Sequence, residues 1–352
     1  MTALFLRTKT YLPNVRPKVV PRPRLIERLN AGLGRKLTLI SAPAGFGKTT
    51  LAITWVRRIG RPVAWLSLDR SDNDPVQFWR YVAAALQTAD GSIGETVLAA
   101  LQSPQSPLLE PLATALINDI ASASAPLVLV LDDYHIIENE AIHDSLNFLL
   151  DYLPRQLHAL ITTRADLPLS LARRRGRAEL NEIRAADLRF TGGEAAEFLN
   201  TYMDLGLSTE DTAALENRTE GWIVGLQMAA LSMQGMDDKH RFVATFAGDD
   251  RYVVDYLVEE VLRLQPPHVQ TFLLQTSILE RLCGPLCDAI GDWRLSGTTN
   301  LQSPVPNLRP FWNTSNLPIS LPFCWTISAT GIATTISLPT CFVTGWSNRQ
   351  AR

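Results

Sequence analysis

Cysteine is scarce, with four in 352 residues, which excludes a disulfide framework. Cys283 and Cys287 are four apart, but no second Cys/His pair stands nearby to complete a zinc site, so they read as ordinary thiols. A secretion signal is also missing. Arg7 and Lys9 interrupt the apolar start and no small-residue cleavage site follows, so the expected location is cytoplasmic. Neither sign of charge is in excess: 33 basic against 35 acidic residues leave −2, which gives no bulk electrostatic grip on nucleic acid. Residues 310–348 carry no charge, yet Pro318, Pro322 and Pro339 break the run, so no membrane span and no membrane partner are expected. What remains is 46% hydrophobic and 19% charged, enough for sizeable cores and a length that calls for two or three domains.

Charge is missing locally as well. Residues 291–352 hold only Asp292, Arg294, Arg309, Arg349 and Arg352, with no Lys and no Glu, yet they hold four of the eight tryptophans. Two kinds of sequence meet near Ile290.

The strongest local signal lies earlier. Residues 36–41 read as a short buried strand that runs into Ala42-Pro-Ala-Gly-Phe-Gly-Lys-Thr49 and then into a helix over 50–56. Strand, glycine loop, Gly-Lys-Thr and helix together form the phosphate-binding P-loop, here in its relaxed form because Ala42 replaces the first glycine. Gly45 and Gly47 let the backbone turn its N–H groups toward phosphate oxygens. Lys48 reaches the β- and γ-phosphates and the Thr49 hydroxyl ligates Mg²⁺. Ala44 and Thr50 complete the nucleotide-binding set, and the helix N-terminus favours an anion.

A second strand, 126–131, ends in Asp132-Asp133. Asp132 is expected to hold Mg²⁺ and Asp133 to orient the attacking water as the catalytic residue. A third strand, 157–162, leads to Arg164, placed at a carboxyl strand end to sense the γ-phosphate. Further strands are expected over 63–67 and 179–183, and Asp74-Pro75 caps a helix over 76–86. The alternation gives a parallel sheet with helices on both faces. Arg173, Arg174, Arg175 and Arg177 read as a solvated cluster. Helical spacing continues over 193–235, with a capping pattern at Ser208–Asp211, and again over 250–290, which reads as a small helical or winged-helix module.

These motifs together resemble the STAND ATPases of the MalT-like type, the large ATP-binding LuxR-type regulators. The likeness rests on Ser41–Thr50, Ala64–Asp69 with Asn73–Pro75 and Phe78-Trp79, and Leu131–His135. Thr162–Arg164, Arg184–Thr191 and Thr219–Trp222 with Gly225–Gln227 complete it. It covers residues 8–290. Gln227 stands where the wider class carries proline after Gly-Leu. The resemblance implies an α/β fold, a P-loop NTPase parallel sheet over 1–190, a helical domain over 191–240 and an incomplete winged-helix module over 241–290. It also implies ATP with Mg²⁺ as cofactors, slow hydrolysis and self-association; with a net charge of −2 and no evident recognition-helix module, no DNA binding by this chain is expected. The function expected is the ATP switch of a transcriptional regulator, truncated before its sensor and DNA-binding domains. Two alternatives stay open, a non-functional remnant and a free-standing P-loop ATPase.

The region 291–352 is expected to be translated out of frame. Reading 330–342 with each third base joined to the next codon permits Arg-Tyr-His-His-Leu-Phe-Ala-Asp-Leu-Leu, a run that resembles the family's sequence after this module. A frame change would also account for the lost charge, because charge patterning is not preserved across frames.

Overall fold

The computed structural model describes residues 6–14, 19–101, 108–246 and 251–263, with 267, 269–271, 281–282 and 336–337. Cys283, Cys287 and, apart from 336–337, the region 291–352 lie outside the described residues. The chain divides into two units. One comprises Met1–Ala42 with Gly47–Leu188, the other Pro43–Phe46 with Arg189–Arg352.

The first unit is built on a five-stranded parallel sheet of order β2-β3-β4-β1-β5. The strands are β1 (Leu37–Ser41), β2 (Val63–Ser67), β3 (Leu127–Asp132), β4 (Leu157–Thr163) and β5 (Leu180–Arg184). Every residue of β1, β3 and β4 is buried, on both alternating faces. Their runs of Leu, Val and Ile therefore need cover on both sides, which is the condition of a parallel sheet inside an α/β protein. The α/β class expected from the alternation is the one found, with strand ends shifted by about a residue, the usual uncertainty of a boundary.

The cover comes from α1 (Pro23–Gly32), α2 (Lys48–Val56), α3 (Pro75–Ala89), α4 (Glu95–Ala100), α5 (Leu109–Ala121), α6 (Glu140–Asp151), α7 (Leu171–Gly176) and α8 (Ala185–Leu188). Asp74 opens α3 as read from sequence: its side chain accepts from the Gln77 N–H at 2.8 Å, and Pro75 fills the first turn, where no N–H is needed. Phe78, Trp79, Leu39, Leu129 and Ile161 are fully buried in one core. Burial of each such side chain stabilises by about 1.5–3 kcal/mol. Trp79 meets its polar requirement by donating to Ser145 Oγ at 3.0 Å, which joins α3 to α6.

The arginine cluster is not uniformly solvated. Arg173 and Arg175 are exposed, but Arg174 is fully buried. Its guanidinium donates to Leu169 O at 3.0 Å and to Asp151 Oδ1 at 2.9 Å, tying α7 to the end of α6. The run looked solvated because four like charges in sequence say nothing of where the helix turn directs each one.

Over residues 189–263 the second unit is helical: α9 (Gly192–Ala196), α10 (Thr209–Thr219), α11 (Ile223–Ser232), α12 (Lys239–Thr245) and α13 (Arg251–Leu257), and two short stretches further on, Arg281–Leu282 and Ile336–Ser337, pair antiparallel. Thr191 and Glu194 form a full capping box at α9. Ser208 caps α10 by accepting from the Asp211 N–H at 3.0 Å. The α9 helix runs into a π-helical turn over Glu197–Tyr202, which breaks the plain helix expected there. Gly221 closes α10 with φ 69°, and a Cβ there would stand 2.5 Å from Phe190 O, so only glycine fits.

Candidate nucleotide-binding site

The sheet order places β4 between β3 and β1, so the carboxyl ends of these three strands lie side by side. Ligands of open α/β sheets bind at such strand ends. From β1 the chain enters the glycine loop, β3 ends in Asp132, and β4 delivers Thr162, Thr163 and Arg164.

Within the first unit, Gly47 sits at φ 73° and opens α2. That left-handed conformation is the reason for glycine at this position. Lys48 follows, 6% exposed. Burial pushes its pKa down to about 8, against the pull of Asp133, while Arg164 pushes it further down and Asp132 pulls it up. Thr49 Oγ1 donates to Asp132 Oδ1 at 3.0 Å. Asp132 is buried, and desolvation with the neighbouring Asp133 charge raises its pKa to about 6. Asp133 holds φ 60° and ψ 41°, a left-handed backbone rare for a residue with a side chain. Its Oδ1 lies 3.7 Å from His135 Nδ1.

The structure thus brings Lys48, Thr49, Asp132 and Asp133 together, and the charge of Arg164 acts on Lys48 and on His135. Thr50 lies in the first turn of α2, beside them in sequence. Ala44 and Gly45 belong to the second unit. There Gly45 has φ 79°, and a Cβ on it would stand 2.8 Å from Trp222 Nε1 and from Val224 Cγ2. Trp222 Nε1 donates to Ala44 O at 3.2 Å and the Val224 N–H to Gly45 O at 3.3 Å.

Three residues, His135 and Thr162 of the first unit and Trp222 of the second, were not singled out as site residues from sequence. His135 is two positions after Asp133, and burial, which outweighs the Asp133 charge, lowers its pKa to about 4, so it is neutral at pH 7. Thr162 is fully buried against both acids. Trp222 holds a loop carbonyl. Each stood inside a motif quoted above, but only the fold shows what each touches.

The donor set at Thr49 and Asp132 is a hydroxyl and a carboxylate, both hard oxygens, which suits Mg²⁺ held by one or two protein groups and completed by phosphate and water. No group of three or more His, Cys, Asp or Glu gathers as a metal cage among the described residues. Among the same residues, no helix is long and apolar enough to cross a membrane.

Comparison with known proteins agrees with this geometry. The sequence profile of the MalT winged helix domain matches residues 258–298. The serine/threonine-protein kinase PknK of Mycobacterium tuberculosis (strain ATCC 25618 / H37Rv) is 35% identical over 294 residues, 82% of this chain and 26% of that protein. The HTH-type transcriptional regulator MalT of Yersinia enterocolitica is 35% identical over 291 residues, 82% of this chain and 32% of that protein. The chain therefore spans about a quarter to a third of the length of these curated relatives. Among solved structures, the Walker-type ATPase PABY2304 of Pyrococcus abyssi matches with a TM-score of 0.55 at 14% identity, covering 95% of this chain and 99% of that one, a likeness of fold. With a P-loop sheet and a winged-helix match in one sequence, the chain is similar over 82% of its length to MalT-like regulators.

Proposed function

We propose that this chain is the ATP-binding switch module of a MalT-like regulator. The observation that carries the reading is Lys48, buried at the start of α2, next in sequence to a Thr49 hydroxyl bonded to Asp132 at 3.0 Å. A lysine held at low exposure is stabilised by an anion, and the phosphates of a nucleotide supply one. Thr49 spends its one proton on Asp132, which leaves the oxygen's lone pairs for a cation. Mg²⁺ held by Thr49 and Asp132 would neutralise charge on the phosphate oxygens. Asp133 would orient a water as the catalytic residue, and Arg164 would read the γ-phosphate.

Ala44, Gly45 and Gly47 supply loop backbone to the phosphates, and Thr50 completes the set. Adenine as the base follows from the family, since a phosphate loop does not select it. Hydrolysis is slow in this reading and resets the switch. The module self-associates and works in the cytoplasm, and DNA recognition falls to other parts of such regulators. A protein titled a kinase and one titled a transcriptional regulator match the same share of this chain, which supports a switch that serves different outputs.

Calorimetry on the full chain tests the reading. Mg·ATP should bind, and Lys48→Ala should weaken binding by about tenfold or more, the worth of a charge-assisted hydrogen bond. Equal affinity in both proteins would overturn it.

A further inference from the structure

The two acids of the site are held by one hydroxyl. Thr162 lies on β4, fully buried, beside the end of β3. Its Oγ1 donates to Asp132 Oδ1 at 2.6 Å and accepts from the Asp133 backbone N–H at 2.9 Å. A threonine hydroxyl has one proton, and here its direction is fixed from both sides. Asp132 Oδ1 also accepts from Thr49 Oγ1 at 3.0 Å, so two donors set the rotation of this carboxylate. Asp133 is the residue with φ 60°, a conformation that persists in a non-glycine residue only where its surroundings hold it. The bond to its N–H does so.

We propose that Thr162 is the positioning residue of the site: its hydroxyl fixes the carboxylate that holds the cation and the backbone that aims Asp133, and so sets the distance between metal and attacking water. The role rests on the ATP-switch reading and adds to it a residue that touches neither nucleotide nor metal. It also makes β4 a common support, because Arg164 follows Thr162 by two residues. A small error in the placing of either acid costs far more in turnover than in binding.

Thr162→Val keeps the shape and a β-branched residue in the strand but removes the hydroxyl. Thr162→Ser keeps the hydroxyl and removes the methyl. In the full chain, the valine variant should bind ATP in EDTA within twofold of wild type, because Lys48 is untouched. Its gain in ATP affinity on adding Mg²⁺ should fall by about fivefold or more, its kcat by about tenfold or more with KM within twofold, and hydrogen exchange at the Asp133 amide should speed up about tenfold. The serine variant should restore all four. Should the valine variant lose its fold by circular dichroism, Thr162→Ala takes its place. A folded hydroxyl-free variant that keeps the Mg²⁺ gain, the turnover and the slow amide would overturn the positioning role alone. So would a folded serine variant that restores none of them. Wild type that binds no ATP would overturn the switch reading and this role with it.

Discussion

Lys48 and Lys9 are buried in the same unit to nearly the same degree, at 6% and 7% exposure, yet they meet different surroundings. Lys9, in a short 3₁₀ turn over Arg7–Thr10, pairs directly with Asp72, lies 3.1 Å from Asp69 Oδ2, and sits 4.4 Å above the Tyr81 ring. Asp72 is fully buried and accepts as well from the Asp69 N–H at 2.9 Å. In that cluster the lysine's charge is met by carboxylates of the chain itself. Around Lys48 the acids Asp132 and Asp133 are countered by Arg164, and burial still wins, so the ammonium is held below its ordinary range. One buried lysine fastens the N-terminal segment. The other keeps its charge at a disadvantage that a phosphate would remove.

The contrast can be broken most severely at Lys9. Lys9→Met leaves Asp72 buried without its cation, and removal of one partner from a buried pair costs about 3–5 kcal/mol. The urea midpoint should drop accordingly, while Lys48→Met should leave it unchanged or higher. Equal losses in the two variants would erase the distinction.

A smaller effect lies in pH. The folded pKa of Lys48, about 8, is below its ordinary 10.5, so the fold binds this proton less well than the unfolded chain does. This group's penalty is fully present below pH 8, and its contribution to stability rises with pH between 8 and 10.5. Phosphate favours the ammonium again, so ATP binding should take up a proton, about half of one per site near pH 8. Calorimetry in buffers of different ionisation enthalpy measures the uptake. No uptake in wild type, or the same uptake in Lys48→Ala, would assign the shift elsewhere.

The smallest effect is expected at Arg173, 45% exposed and 2.5 Å from Asp151 Oδ2. Arg173→Ala should cost less than about 1 kcal/mol, as exposed pairs do. A larger loss in chemical denaturation would show that burial is not what separates these charges.

The sequence showed the glycine loop, β3 with its two acids and the Asp74 cap because each is written in adjacent residues, with a run of Leu and Val or a Gly-Lys-Thr to mark it. It could not show that Thr162 meets Asp132, since that contact depends on β3 pairing with β4. Arg174 was misread for a related reason: its burial comes from α6, more than twenty residues earlier. The π-helical turn over Glu197–Tyr202 has no local signature either.

The sheet order has a consequence for how the chain is made. Inside the sheet β1 is flanked only by β4 and β5, so Leu37 pairs with Ala159 on one side and Leu180 on the other. During synthesis β1 leaves the ribosome long before either neighbour exists. At about 5–20 residues per second of synthesis the wait is on the order of ten seconds. For that interval an apolar strand and the glycine loop behind it have no ladder to join, and such non-local parallel pairing is slow to form and open to aggregation. Nucleotide cannot assist the early steps, because Asp132 and Thr162 are not yet in place. The nascent chain must be kept soluble by other means until about residue 184 has emerged, when the edge strand β5 completes the sheet beside β1.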